Sequence, residues 1–118
     1  MSEDTIFHRI QRREIPADIV YEDEHVFAFR DIAPQAPVHV LFVPKATVRT
    51  LDEAKPAQAE LVGRLALAAA EYARREGFAE DGYRVVINCN AHGGQTVFQL
   101  HLHLLAGAPL GRFGTPHQ

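Results

Sequence analysis

The stretch GGQTVFQLHLHLLAG, residues 93–107, is the most informative part of the chain because polar and apolar residues alternate along it. Successive side chains of a β-strand point to opposite faces. We therefore expect a strand over residues 97–105 in which Gln99, His101 and His103 share one face and the intervening leucines pack on a core. Buried imidazoles and amides need hydrogen-bond partners, so the polar face must contact something other than an apolar core.

Four other segments have the composition of strands. Ile19–Glu22 and Val26–Arg30 flank the acidic turn EDEH and predict a hairpin. VHVLFVP, Val38–Pro44, is apolar on both faces and predicts a central strand. Residues 83–88 predict a further strand. If the strand at Val38–Pro44 neighbours the last one, His39 joins the two histidines of the polar face.

Two helices complete the predicted fold. A short one, capped by Asp4, carries three apolar residues on one side, Ile6, Phe7 and Ile10. A long one lies within residues 50–78, with Pro56 in its first turn and Gly77 at its end. The order of elements predicts an α+β domain with a five-stranded, mostly antiparallel sheet.

The length and net charge of the chain limit the classes of protein to which it can belong. The 118 residues predict one domain over residues 1–118, with a core at about 4–110 and an irregular tail at 111–118. The formal charge of −3 lacks the basic excess that a nucleic-acid partner requires. No apolar run is long enough to span a membrane, and no secretory signal is recognisable, so no membrane partner is expected. The single cysteine, Cys89, fits a reducing cytoplasm.

A loop rich in hydrogen-bond donors precedes the histidine pair. Gly93 and Gly94 allow backbone N–H groups to approach an anion, and Gln95 and Thr96 add side-chain donors. Three interpretations of the histidines follow from these residues. They are a polar pair within the core, ligands of a metal with His39 as the third, or the site of a nucleophile that attacks phosphorus.

The same residues also resemble a known family. GGQTVFQLHLHLLAG resembles the histidine triad signature, and RDIAPQAPVHVL and NCNAHGGQ are similar to the family in the same order. The likeness is to the Hint branch, the purine nucleoside phosphoramidases. It implies a sheet of five antiparallel strands with two helices, joined to a second copy in a homodimer.

The resemblance implies a role for each matching residue. His101 matches the attacking nucleophile, His103 the histidine that contacts phosphate oxygens, and His39 a histidine that orients or polarises the nucleophile. Asp31 matches the carboxylate that binds the ribose hydroxyls. The base would lie against Phe7, Ile10, Phe29, Ile32 and Leu41, and the phosphate side would be contacted by Asn88, Gly94, Gln95 and Thr96, with Thr96 a candidate for handling the leaving group.

The implied activity is hydrolysis of nucleoside 5′-phosphoramidates, such as adenosine monophosphoramidate, to a monophosphate and an amine, with no metal and no cofactor. Purine nucleoside monophosphates would bind the same site. Two alternatives stay open: a dinucleoside polyphosphate hydrolase, and a nucleotide-binding regulatory module whose hydrolysis is incidental.

The chain departs from the signature at Gln99, which replaces the first histidine of the triad. Glutamine donates and accepts hydrogen bonds but carries no titrating proton. We therefore expect Gln99 to support the site without relaying protons, and His101 to keep its role as nucleophile.

Overall fold

The computed structural model describes residues 4–113, which form five strands and three helices. Strands β1 to β5 are Ile19–Glu22, Val26–Arg30, Val38–Pro44, Arg84–Val86 and Leu102–Ala106. Helices α1, α2 and α3 are Ile6–Gln11, Ala59–Glu76 and the single turn Asn90–Gly93, and a 3-10 turn, Pro56–Gln58, leads into α2.

The strands form one sheet in the order β1-β2-β3-β5-β4, and every neighbouring pair is antiparallel. The predicted α+β class is confirmed, as are the bounds of β1 to β3 and the central place of β3. β4 and β5 are shorter than predicted. Residues 97–101 leave the ladder because the chain opposite them, after Pro44, is already a loop; Leu100 N–H donates to Val48 of that loop at 2.6 Å.

Capping residues explain where helix α1 begins and where helix α2 ends. The cap of α1 is Thr5, whose hydroxyl accepts from the N–H groups of Phe7 and His8, so the prediction of Asp4 as the cap was wrong. Asp4 instead accepts from the Arg12 guanidinium at 2.7 Å. α2 ends, as predicted, at Gly77, which has a left-handed φ of 88° that only glycine adopts without strain.

The two faces of the sheet bury separate cores. The α2 face consists of α2 and the strand residues packed against it, among them Tyr21, Val40, Phe42, Leu65, Tyr72, Leu102 and Leu104. The α1 face consists of α1 and the opposite strand residues, among them Phe7, Ile10, Phe27, Phe29, Leu41 and Val43. The alternation of β5 is thus observed, since its leucines Leu102 and Leu104 pack on the α2 face.

The described part of the predicted tail lies outside these elements. Residues 111–113 form neither helix nor strand, and the rest of the predicted irregular tail, residues 114–118, lies outside the described residues. Among residues 4–113, no helix has the length and apolarity needed to cross a membrane.

Candidate active site

Three imidazoles meet on the α1 face of the sheet. His39 lies on β3 and His103 on the adjacent β5, where His103 is paired in register with Leu41. The Nε2 atom of His39 lies 2.9 Å from Nδ1 of His103, and the backbone N–H of Gln35 donates to Nδ1 of His39 at 3.1 Å. His101 directly precedes β5, and its ring centroid is 5.1 Å from that of His103.

The hydrogen bonds of His101 determine which ring nitrogen is reactive. Its Nδ1 lies 2.7 Å from the main-chain carbonyl oxygen of Gln99. Because a carbonyl oxygen can only accept, Nδ1 must carry the proton, and Nε2 holds the lone pair of the neutral ring. The edge-to-face contact with Phe7, at 4.9 Å between centroids, holds the ring orientation.

Burial keeps these histidines neutral. It lowers the pKa of His101, although the bond to the Gln99 carbonyl and the charge of Asp31 act in the opposite direction. The pKa of His103 falls to about 4, chiefly through burial and then through the neighbouring His101 and His39. Burial also lowers the pKa of His39, against the attraction of Asp31. A neutral imidazole is the form that can attack an electrophile.

A pocket of about 270 Å³ opens beside His101 and His103. Its wall is mostly apolar and is built from α1, β2, β3 and the segment before β1. Its polar and charged residues are Arg30, Asp31, Thr96 and the two histidines. An apolar cleft with a few convergent polar groups suits a ligand that combines a flat apolar part with a charged one.

The residues best placed to hold a metal are Asp31, His39 and His103, whose nearest donor atoms lie within 4.8 Å of one another. The Oδ2 atom of Asp31 is 3.6 Å from Nε2 of His39. However, both nitrogens of His39 and Nδ1 of His103 already take part in hydrogen bonds within the protein. A metal would therefore have to displace the bond between the two imidazoles.

Comparison with known proteins agrees with this geometry. The model of the HIT domain family matches residues 12–110. The chain belongs to the HIT family. A purine nucleoside phosphoramidase of Escherichia coli is 52% identical to it over 94% of this chain and 93% of its own length.

Solved structures confirm the fold of this HIT protein. A histidine triad protein from Clostridium difficile superposes with a TM-score of 0.91 at 38% identity, over 97% of this chain and 99% of its own. A HIT family hydrolase from Legionella pneumophila superposes with a TM-score of 0.88 at 43% identity, over 91% of this chain and 96% of its own. The predicted family, its Hint branch and the HIT-like fold are confirmed, and the HIT protein is a hydrolase.

The structure brings most of the predicted site residues together. The following line the pocket: Phe7, Ile10, Phe29, Asp31, Ile32, Leu41, Thr96, His101 and His103. His39 lies behind His103, to which it is hydrogen-bonded, rather than behind His101. Ile32 is 99% exposed, so it lies at the rim of the pocket.

The predicted place of Gln99 on the face of the two histidines stays a prediction, whereas the observed partners of its side chain are all backbone groups. Its fully buried amide binds the loop after β3: Oε1 accepts from Val48 N–H at 3.1 Å, and Nε2 donates to the carbonyls of Pro44 and Ala46 at 3.0 and 2.8 Å. The main chain of Gln99 meanwhile accepts from His101. Gln99 therefore links the carbonyl that contacts His101 to the end of β3.

Gln95 is also a structural brace, which corrects its predicted role on the phosphate side. Its buried amide accepts from Asn90 N–H at 2.9 Å and donates to the carbonyls of Arg49 and Val97 at 2.9 and 3.0 Å. Asn88 and Gly94 are near each other, since a Cβ on Gly94 would lie 4.0 Å from the Asn88 amide nitrogen. The predicted contacts of these two residues with phosphate stay predictions.

The sequence analysis did not identify several residues in and near the site. Further pocket-lining residues are Ile6, Ile15, Pro16, Ala17, Arg30 and Val97. His8 completes a capping box with Thr5 and contacts the Thr47 hydroxyl at 3.3 Å. The spacing of three residues between Thr5 and His8 was the available signal, although a capping box ordinarily has Glu or Gln at the second position.

Proposed function

We propose that this HIT hydrolase cleaves the P–N bond of purine nucleoside 5′-phosphoramidates. The observation that carries the proposal is the neutral, buried His101, whose Nδ1 proton is held by the Gln99 carbonyl while the ring lines an apolar pocket. The resemblance to the Escherichia coli purine nucleoside phosphoramidase supports the substrate class.

The pocket offers a separate surface for each part of a nucleotide. The purine would stack against the apolar wall formed by Phe7, Ile10, Phe29 and Leu41. The Asp31 carboxylate, 21% exposed at its side chain, would accept from the ribose hydroxyls. The α-phosphate would then lie between His101 and His103, next to Thr96.

The reaction would proceed in two displacements. Nε2 of His101 attacks the α-phosphorus, the P–N bond to the leaving group breaks, and the departing nitrogen takes up a proton to leave as the amine. Water then attacks the phosphorus of the nucleotidyl-histidine, the bond from phosphorus to His101 breaks, and the nucleoside monophosphate is released. Thr96, exposed at the pocket, is the candidate for guiding the leaving amine.

Gln99 and His39 would act through other residues. Gln99 would hold the carbonyl that fixes the tautomer of His101, and His39 would hold His103. Asn88 and Gly94 would contact the phosphate side. None of these steps requires a metal or a cofactor.

We also propose that the protein is a cytoplasmic homodimer. The apolar side chains of Leu67 on α2 and Val85 on the edge strand β4 are 71% and 42% exposed, which supports a covered surface there. The whole chain would act as one domain.

The test is turnover of adenosine monophosphoramidate, with and without EDTA, by the wild type, His101→Ala and His101→Gly. We expect EDTA-insensitive turnover that falls by about 10³-fold or more in both variants, because no other group replaces the nucleophile. His92→Ala is the matched control, since His92 is exposed and lies on α3. Tight binding of adenosine monophosphate without wild-type turnover, or turnover abolished by EDTA, would overturn the proposal.

A further inference from the structure

A single backbone amide begins a chain of hydrogen bonds that ends at the phosphate side of the pocket. Gln35 lies in the loop between β2 and β3, and its N–H donates to Nδ1 of His39. Nε2 of His39 contacts Nδ1 of His103 at 2.9 Å. His103 in turn lines the pocket.

The Gln35 N–H determines which nitrogen carries the proton in each of the two rings that follow it. An amide N–H can only donate, so Nδ1 of His39 carries no proton and Nε2 of the neutral ring must carry one. That proton is donated to Nδ1 of His103, which therefore has its own proton on Nε2. His101 has the opposite tautomer, because a carbonyl rather than an amide contacts its Nδ1.

This series of hydrogen bonds disfavours a second proton on the ring of His39 or of His103. A proton on Nδ1 of His39 would face the Gln35 N–H, and a proton on Nδ1 of His103 would face Nε2–H of His39. The charged neighbour that competes for the His39 proton is Asp31, at 3.6 Å, but its other oxygen accepts from Ala33 N–H at 2.8 Å. The lowered pKa values of both rings agree with this arrangement.

We propose that the backbone amide of Gln35 is a positioning group which, through His39, makes His103 a fixed Nε2–H donor at the phosphate. The inference rests on the proposed function for its consequence in catalysis, but the tautomers exist without a substrate. A preset donor stabilises charge that develops on the phosphate oxygens without reorganisation during the reaction.

The first test is the ring-nitrogen NMR spectrum of protein labelled with ¹⁵N-histidine. We expect His39 and His103 to carry their protons on Nε2, His101 on Nδ1, and a coupling across the hydrogen bond between His39 Nε2 and His103 Nδ1. A proton on Nδ1 of His39 or of His103 would overturn the inference. Since no substrate is present, this result is independent of whether phosphoramidates are hydrolysed.

A matched pair of variants at His39 tests the donor. The amide of Asn can replace Nδ1 of His39 and keep the Gln35 contact, whereas the longer Gln can replace Nε2 and keep the donation to His103. We expect His39→Gln to retain most of kcat and His39→Asn to lose about 10²-fold, as for removal of one transition-state donor, with KM little changed in both. Equal losses in the two variants would indicate a merely structural role and contradict the inference.

A second pair tests the backbone amide itself. Gln35→Pro removes the N–H, whereas Gln35→Ala keeps it and removes only an exposed side chain. We expect Gln35→Pro to lose kcat by about tenfold relative to Gln35→Ala and to place part of the His39 protons on Nδ1, whereas Gln35→Ala should keep them on Nε2. An unchanged His39 tautomer in folded Gln35→Pro protein would refute the assignment.

Discussion

The sheet carries the eighteen-residue helix α2 on one face and only the six-residue helix α1 on the other. On the α2 face, side chains such as Phe42, Leu65 and Leu104 are completely buried. The α1 face buries its own aromatic residues but leaves a pocket of about 270 Å³ beside the histidines. Under the proposed function, residues of the α2 face contribute to stability, whereas those of the α1 face contribute to both stability and ligand binding.

The largest expected effect comes from truncating one phenylalanine on each face. Phe42→Ala should lower the free energy of unfolding by about 3–5 kcal/mol, because a closed core cannot collapse around the cavity. Phe29→Ala should cost less, since the pocket admits water, but should raise KM by about tenfold through lost contact with the base. Urea unfolding and steady-state kinetics measure both effects. If Phe42→Ala and Phe29→Ala cause the same change in stability and the same change in KM, the two faces do not have different roles.

Gln99 holds the loop after β3 through its side chain and contacts His101 through its carbonyl, so replacing it should affect both stability and activity. Gln99→Leu leaves the Val48 N–H and the Pro44 and Ala46 carbonyls without their buried partner, at an expected cost of about 2–3 kcal/mol. kcat should also fall because the carbonyl that anchors His101 moves.

Gln99→His is the informative partner of that variant, since it restores the triad histidine. An imidazole cannot make all the bonds of the amide, and it adds a titratable group to the site. We expect a changed rate or pH dependence. If kcat and its pH profile both equal those of the wild type, Gln99 has no particular part in positioning the nucleophile.

The pH dependence distinguishes the α1 face from the rest of the molecule. Since the pKa of His101 is lowered by burial, kcat/KM should be constant down to the ordinary histidine pKa of about 6.5 and fall only at lower pH, by about tenfold per unit beyond the midpoint. Phe7→Ala should move that midpoint upward by admitting water to the ring. A midpoint above that of a free histidine would contradict the burial argument.

The free energy of unfolding should also decrease as the pH falls. When a folded-state histidine pKa is lowered, the unfolded chain binds more protons, so its contribution to stability is complete above about 6.5 and is lost as the pH falls. For His103 the loss extends down to a pKa of about 4. Thermal unfolding between these pH values should show a Tm that decreases toward acid and decreases less in His103→Gln. An unchanged slope in His103→Gln would be evidence against this linkage.

The smallest expected effect concerns the cap of α1. Thr5→Ala should cost about 1 kcal/mol, because the N–H groups of Phe7 and His8 lose their acceptor. It should raise KM severalfold with little change in kcat, since α1 carries the wall of the pocket. Arg12→Gln is the control: its ion pairs with Asp4 and Glu14 are exposed to solvent, so stability should stay close to that of the wild type.

The sequence was sufficient to predict those strands and helix ends that are determined by neighbouring residues in the chain. β1, β2 and β3 have the predicted bounds because hydrophobic alternation and turn residues determine them. Gly77 ends α2 as expected for a left-handed cap. Alternation along residues 97–105, together with the family signature, predicted that His101 and His103 lie together, and both line the pocket.

Long-range contacts account for what sequence did not predict. Nothing in the pattern QLHLH shows that the Gln99 amide binds a loop more than fifty residues earlier, because its partners are backbone groups of any residue type. The same holds for the Gln95 amide, which donates to the carbonyl of Arg49. Asp4 was wrongly preferred to Thr5 as a cap because both residue types are good caps and only the geometry separates them.

Helix α1 has one further consequence for ligand binding. A helix of six residues is too short to be stable alone, so α1 depends on its cap and on the packing of Phe7 and Ile10. A nucleotide that contacts those side chains adds to the forces that keep α1 ordered, and by reciprocity an ordered α1 raises the affinity for the nucleotide by the same factor. Occupancy should therefore be visible as slower amide exchange in α1, and release of product should be coupled to the opening of this helix.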